Sequence, residues 1–238
     1  MTNHKIDQEA EQLILNLASE PSFEADEYIL LPSNQPYIDQ LLDQEQISAP
    51  LATPLTLLFG AKKSGKTHLA HLWQQAHAAV FMPDAYLKVA EDDFPTLAKF
   101  VGNNAVIIDD IDTKLSCEKS IFHIINLAIQ FDQKILITAS KPLMQWGIKL
   151  PDLLSRLKAA KHIEITPPDD LLMEALLIKS FAEKQLNVAD NVIAYILPRI
   201  DRSALAVIEL VETLDIYALK SKKPITRMMV GKILEDTV

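Results

Sequence analysis

From about residue 50 to residue 166 the chain alternates short, continuously apolar runs with longer stretches in which apolar residues recur every three or four positions. The runs are "PLTLLFG" (54–60), "AVFM" (79–82), "NAVIIDD" (104–110), "KILITAS" (134–140) and "KHIEIT" (161–166). Each suits a strand covered on both faces. Between them, "GKTHLAHLWQQAHAA" sets Leu69, Leu72 and Trp73 on one helical stripe, and "EKSIFHIINLAIQF" does so with Ile121, Ile124, Ile125, Ala128 and Ile129. Alternation of this kind predicts a parallel sheet with helices on both faces.

The pattern changes after "TPPDD". "DLLMEALLIKSFAEKQ", "NVIAYILPRI", "RSALAVIELVETLDIYALK" and "TRMMVGKILEDT" read only as helices. Pro167 and Pro168 are expected to start the first of them, with Asp169 and Asp170 in its favourable first turn. The predicted organisation is an N-terminal extension over 1–24, an α/β domain over 25–167 and a small all-helical lid over 168–238.

Composition adds exclusions. With 238 residues, 49% of them hydrophobic and 23% charged, the chain can bury a sizeable core. Its apolar runs fall far short of the roughly 20 residues of a spanning helix, and its acidic N-terminus is unlike a signal peptide. A cytoplasmic location without membrane contact is therefore expected. A single cysteine, Cys117, excludes an internal disulfide, and the six His lack ligand spacing. The net charge of −9 opposes unspecific attraction to nucleic acid, and the one basic stretch, "KSKK" (220–223), reads as a solvated helix end.

The candidate chemistry begins at "GAKKSGKT", Gly60 to Thr67, which fits GxxxxGK[ST] directly after a strand and at the opening of a helix. Gly60, Lys63, Ser64 and Gly65 with the helix start through His68 would cradle phosphates with their amides. Lys66 would reach the β- and γ-phosphates, and the Thr67 hydroxyl would ligate magnesium. "AVIIDD" supplies an apolar strand ending in acids, with Asp109 placed to hold the metal or its water shell and Asp110 nearest to orient an attacking water. The tip of "ILITAS" offers Ser140, or Thr138 before it, toward the γ-phosphate. Arg156 in "DLLSRLKAA" can stabilise phosphoryl charge in its own or a neighbour's site, or simply pair with Asp152 on the surface. Arg202, at the start of a long lid helix, could reach back to the nucleotide.

Together, the P-loop, the "IIDD" strand, the "TAS" tip, "LPDLLSRL", "PPDD" and the Arg-bearing lid helix resemble the AAA+ module of the DnaA family of bacterial replication initiators. The chain is more closely similar to the short, Hda-like members that switch the initiator off, nearest their alphaproteobacterial branch. "LPSNQPYIDQLL" resembles the family's entry segment. The resemblance implies an AAA+ P-loop three-layer α/β fold with a helical lid, ADP or ATP held between them, and Mg2+. It implies Walker A roles for Lys66 and Thr67, Walker B for Asp109, first sensor for Ser140, an adenine pocket at Ile29 and Leu30, and an arginine finger, Arg156, that completes the site of DnaA-bound ATP.

The resemblance also gives a meaning to "QLILNL", in which Gln12, Leu13, Leu15 and Leu17 match the register of a peptide that binds the DNA polymerase III sliding clamp. Its helical composition, with Leu13 and Leu17 four apart, equally suits packing on the chain's own domain. Two departures stand out. The place of the family's second sensor arginine falls on Leu205, and Arg202 lies three residues earlier, about one helical turn. "KAAKH" replaces an aromatic and a glycine after "SRL". The chain ends at Val238 soon after its last lid helix, without the family's DNA-reading domain, so no direct sequence-specific DNA binding is expected. The leading expectation is a regulator acting on DnaA and the clamp. An independent ATPase or loader and a nucleotide-stabilised binding module are the alternatives. Nucleotide preference, self-hydrolysis and homodimer formation stay open.

Overall fold

The computed structural model describes residues 29–42, 54–88 and 94–236. The N-terminal extension with its Gln12, Leu13, Leu15 and Leu17 lies outside the described residues.

Five parallel strands, β1 (Leu55–Gly60), β2 (Val80–Phe81), β3 (Val106–Ile108), β4 (Ile135–Ala139) and β5 (Lys161–Ile165), form one sheet in the order β2-β3-β4-β1-β5. In chain order the helices before the lid are α1 (Gln35–Leu42), α2 (Lys66–His77), α3 (Asp84–Leu87), α4 (Phe94–Gly102), α5 (Glu118–Gln130) and α6 (Pro151–Lys158). β4 is buried along its whole length between β1 and β3. Because side chains alternate across a strand, the sheet has two apolar faces. Leu57, Ile108 and Ile137 pack with Ile121, Ile124 and Ile125 of α5 on one. Leu58, Ile107 and Leu136 pack with Leu69 and Trp73 of α2 on the other.

Three expectations are corrected. "KHIEIT" is an edge strand with only Ile163 and Ile165 buried, which its polar alternation at His162 and Glu164 fits better than double coverage. Ile129 emerges at the end of the α5 stripe, 36% exposed. Pro167 and Pro168 precede the first lid helix rather than open it, because Asp169 is the cap, its side chain accepting from the Leu172 amide at 2.8 Å.

The lid comprises α7 (Asp170–Glu183), α8 (Asp190–Ile196), α9 (Ala204–Ser221) and α10 (Arg227–Asp236), around a core of its own that includes Met173, Leu177, Phe181, Val207, Leu214 and Val230. Among the described residues no helix is long and apolar enough to cross a membrane.

β1 ends at Gly60, opposite Ile165. A Cβ there would stand 2.9 Å from Ile165 Cβ and 3.1 Å from its carbonyl oxygen. Part of that clash is with backbone, so Gly60→Ala is expected to cost about 1–3 kcal/mol, the usual range for overpacking, read by urea denaturation. A variant as stable as the parent would contradict this packing.

Candidate nucleotide site

The site lies at the ends of β1, β3 and β4, where the strands hand over to loops. Gly65 (φ 92) takes a left-handed conformation that turns the loop into α2. Lys63 (φ 55) is left-handed too, although it carries a side chain. That strain costs roughly 1–2 kcal/mol. Lys66 opens α2 and is only 5% exposed. Its ammonium donates to the carbonyls of Gly60 (3.0 Å) and Ala61 (2.7 Å). Burial pulls its pKa below the ordinary 10.5, opposed by Asp110, Asp109 and Asp112 in that order.

Asp109 sits beyond the end of β3 with both oxygens engaged. Oδ2 accepts from Thr67 Oγ1 at 3.2 Å, and Oδ1 accepts a short bond from Thr138 Oγ1. Thr138 is fully buried in β4, and its oxygen also accepts from the Asp110 amide at 2.9 Å. The two polar residues at this end of the sheet are placed differently: Thr138 fastens the acids, while Ser140, just past β4, lines the cleft. Burial and the neighbouring Asp109 raise the Asp110 carboxyl pKa.

Thr138→Val keeps the shape but strands two polar groups, the Asp109 oxygen and the Asp110 amide. Each costs about 1–3 kcal/mol when left unpaired. A loss of roughly 2–4 kcal/mol is expected by denaturant titration, and a loss under about 0.5 kcal/mol, the level of an ordinary surface change, would contradict the network.

The loop, the sheet tip and the lid enclose a cleft of about 460 Å³, a size suited to a small ligand. Gly60, Ser64, Gly65 and His68 line it, as do Ile29 and Arg202. Lys63 does not; it is exposed, and Lys62 takes the lining position. Leu30 is also displaced from expectation. It is 55% exposed and lies outside the cleft lining.

Two residues missed in the sequence complete the apolar end. Asn34, 1% exposed, accepts from the Leu31 amide (2.8 Å) and donates to the Ile29 carbonyl (2.6 Å), fixing the turn that presents Ile29. Tyr37 lines the wall beside it from α1. An Asn in a short polar stretch carries no period or motif to betray it.

Arg202 is not on the face of α9. It precedes the cap residue Ser203, so the helical-turn argument linking it to Leu205 does not hold. Arg202 nonetheless reaches the cleft, with its guanidinium 2.6 Å from Asp170 Oδ1. Arg156 stands apart. It lies in the last turn of α6, exposed and outside the cleft lining, and among the described residues no ion pair joins it to Asp152 or to any other acid.

Domain III of the Thermotoga maritima replication initiation protein DnaA superposes with a TM-score of 0.73 at 16% identity, covering 91% of this chain and 97% of that one. The chain has a DnaA-like AAA+ fold. AMPPCP-bound DnaA from Aquifex aeolicus matches with a TM-score of 0.64 at 15% identity, over 84% of this chain and 67% of that one. A RuvB mutant from Thermotoga maritima reaches 0.66 at 18% identity, over 90% and 72%. In sequence, an uncharacterized protein of Haemophilus influenzae is 24% identical over 194 residues, 79% of this chain and 84% of the relative. No family profile matches the chain.

Proposed function

We propose that this protein is an Hda-like regulatory AAA+ protein. It binds ADP or ATP with Mg2+ in the cleft, docks on the DNA polymerase III sliding clamp, and lends Arg156 to the hydrolysis of DnaA-bound ATP, so repressing re-initiation. The observation that carries this reading is an arginine exposed at the end of α6, outside its own cleft and held by no acid among the described residues, in a chain of DnaA-like fold. An arginine so placed is available to a neighbour's phosphates.

The donor set suits the cofactors. Thr67 Oγ1 and Asp109 Oδ2 are hard oxygen ligands within 3.2 Å of each other. Among the described residues no group of three acidic, His or Cys side chains could hold a metal. Magnesium would therefore be shared with nucleotide phosphates and water. When bound, it neutralises phosphate charge. The chain's own groups do the rest: Lys66 and the loop amides hold phosphates, Ile29 and Tyr37 receive the base, and Ser140 faces the phosphate end. Clamp docking falls to Gln12, Leu13, Leu15 and Leu17, and the net charge of −9 argues against direct sequence-specific contact with DNA.

The test is ATP hydrolysis by DnaA in the presence of DNA-loaded clamp and this protein. Acceleration is expected only with every component present. Gln12→Ala combined with Leu15→Ala is expected to abolish both clamp binding and acceleration while preserving fold and nucleotide affinity. Hydrolysis unchanged by the complete mixture would contradict the proposal.

A further inference from the structure

At the cleft end β4 outruns β3. Ile108, the last residue of β3, is opposite Ile137, so Thr138, Ala139 and Ser140 extend past their neighbour. The Val106 amide donates to the Lys134 carbonyl, so Lys134 turns its peptide groups toward β3. Every second residue after it does the same. The Ser140 N–H therefore points to where β3 has already ended.

A side chain supplies the missing acceptor. Asp112 Oδ2 receives the Ser140 amide at 3.2 Å. Asp110, left-handed at φ 50 and ψ 50, folds the chain back into a 3-10 turn over Ile111–Thr113, which carries Asp112 onto the β4 tip. Thr113 Oγ1 braces that turn by donating to the Asp110 carbonyl at 2.8 Å. The other Asp112 oxygen, Oδ1, is sealed from solvent with no hydrogen-bond partner among the described residues. A buried carboxylate oxygen is unfavourable until a donor reaches it. This corner is thus an unfinished network at the phosphate end of the cleft.

We propose that Asp112 is a positioning residue that ties Ser140 to the Asp109–Asp110 corner, so that the site distinguishes a nucleoside triphosphate from a diphosphate. The proposal rests on the nucleotide-binding reading above. Through this one bond, any adjustment of the acidic corner to a third phosphate is passed to the residue that faces it, and the partnerless oxygen can accept from water ordered by that phosphate.

The test compares binding of fluorescent ADP and ATP analogues, with Mg2+, to the full chain and to Asp112→Ala and Asp112→Asn, with melting of the ligand-free proteins alongside. Asp112→Ala is expected to shift the ratio of triphosphate to diphosphate affinity by about fivefold, the scale of one hydrogen bond. Asp112→Asn, which retains an acceptor for the Ser140 amide, is expected to restore most of the ratio. Asp112→Ser serves as the truncation should the alanine variant fail to fold. An unchanged ratio, even with a lowered melting temperature, would reduce Asp112 to a structural residue and overturn the proposal while leaving nucleotide binding in place. Failure of the parent chain to bind either analogue would overturn both readings.

Discussion

Lys66→Met is expected to weaken ADP and ATP binding by at least about a hundredfold, since charge-assisted bonds to phosphate contribute roughly 1.5–3 kcal/mol each. The ligand-free fold should survive. Lys66 is almost wholly buried, and burial holds its pKa below 10.5. A lysine whose folded-state pKa is lowered opposes folding while it is charged, and that penalty fades as the pH rises from the lowered value toward 10.5. Methionine keeps the apolar stem without the charge, at the expense of the bonds to the Gly60 and Ala61 carbonyls. Calorimetric titration and a thermal melt separate the two effects: affinity should collapse while the melting temperature moves by only a few degrees. Retained affinity would show that the ammonium does not meet phosphate.

Arg156→Ala carries the second large effect. An arginine finger is worth about a thousandfold or more in phosphoryl transfer, so the variant should lose nearly all acceleration of DnaA-bound ATP hydrolysis. Because the side chain is exposed on α6 and no acid pairs with it among the described residues, its removal should alter stability by no more than about 0.5 kcal/mol. Clamp binding and nucleotide affinity should be unchanged, which separates a lost finger from a damaged protein.

Much of this was legible in the sequence because it rests on local, repeating physics. The five runs mark the five strands; β1, β3 and β4 lie inside the parallel sheet and are covered on both faces, whereas β2 and β5 are its edges and are covered less. "GAKKSGKT" lies between strand and helix as its spacing requires. What escaped depends on chain reversals and tertiary meeting points. Asn34 and Asp112 work by catching backbone groups that a turn or a shortened neighbouring strand leaves bare. Neither has a spacing that announces it. Arg202 was tied to Leu205 by assuming the helix already included it, whereas Ser203 caps α9 one residue later. Leu30 shows the converse limit: an apolar residue next to one that lines the cleft is itself left 55% exposed, and nothing in the local sequence tells the two apart.

The most direct measurement is the rate of ATP loss from preloaded DnaA, with DNA-loaded clamp and this protein, run in parallel with its Arg156→Ala variant. Fast loss with the parent chain and a near-basal rate with the variant, both proteins binding nucleotide equally, is the expected result; equal rates with the two proteins would contradict a trans-acting role for Arg156.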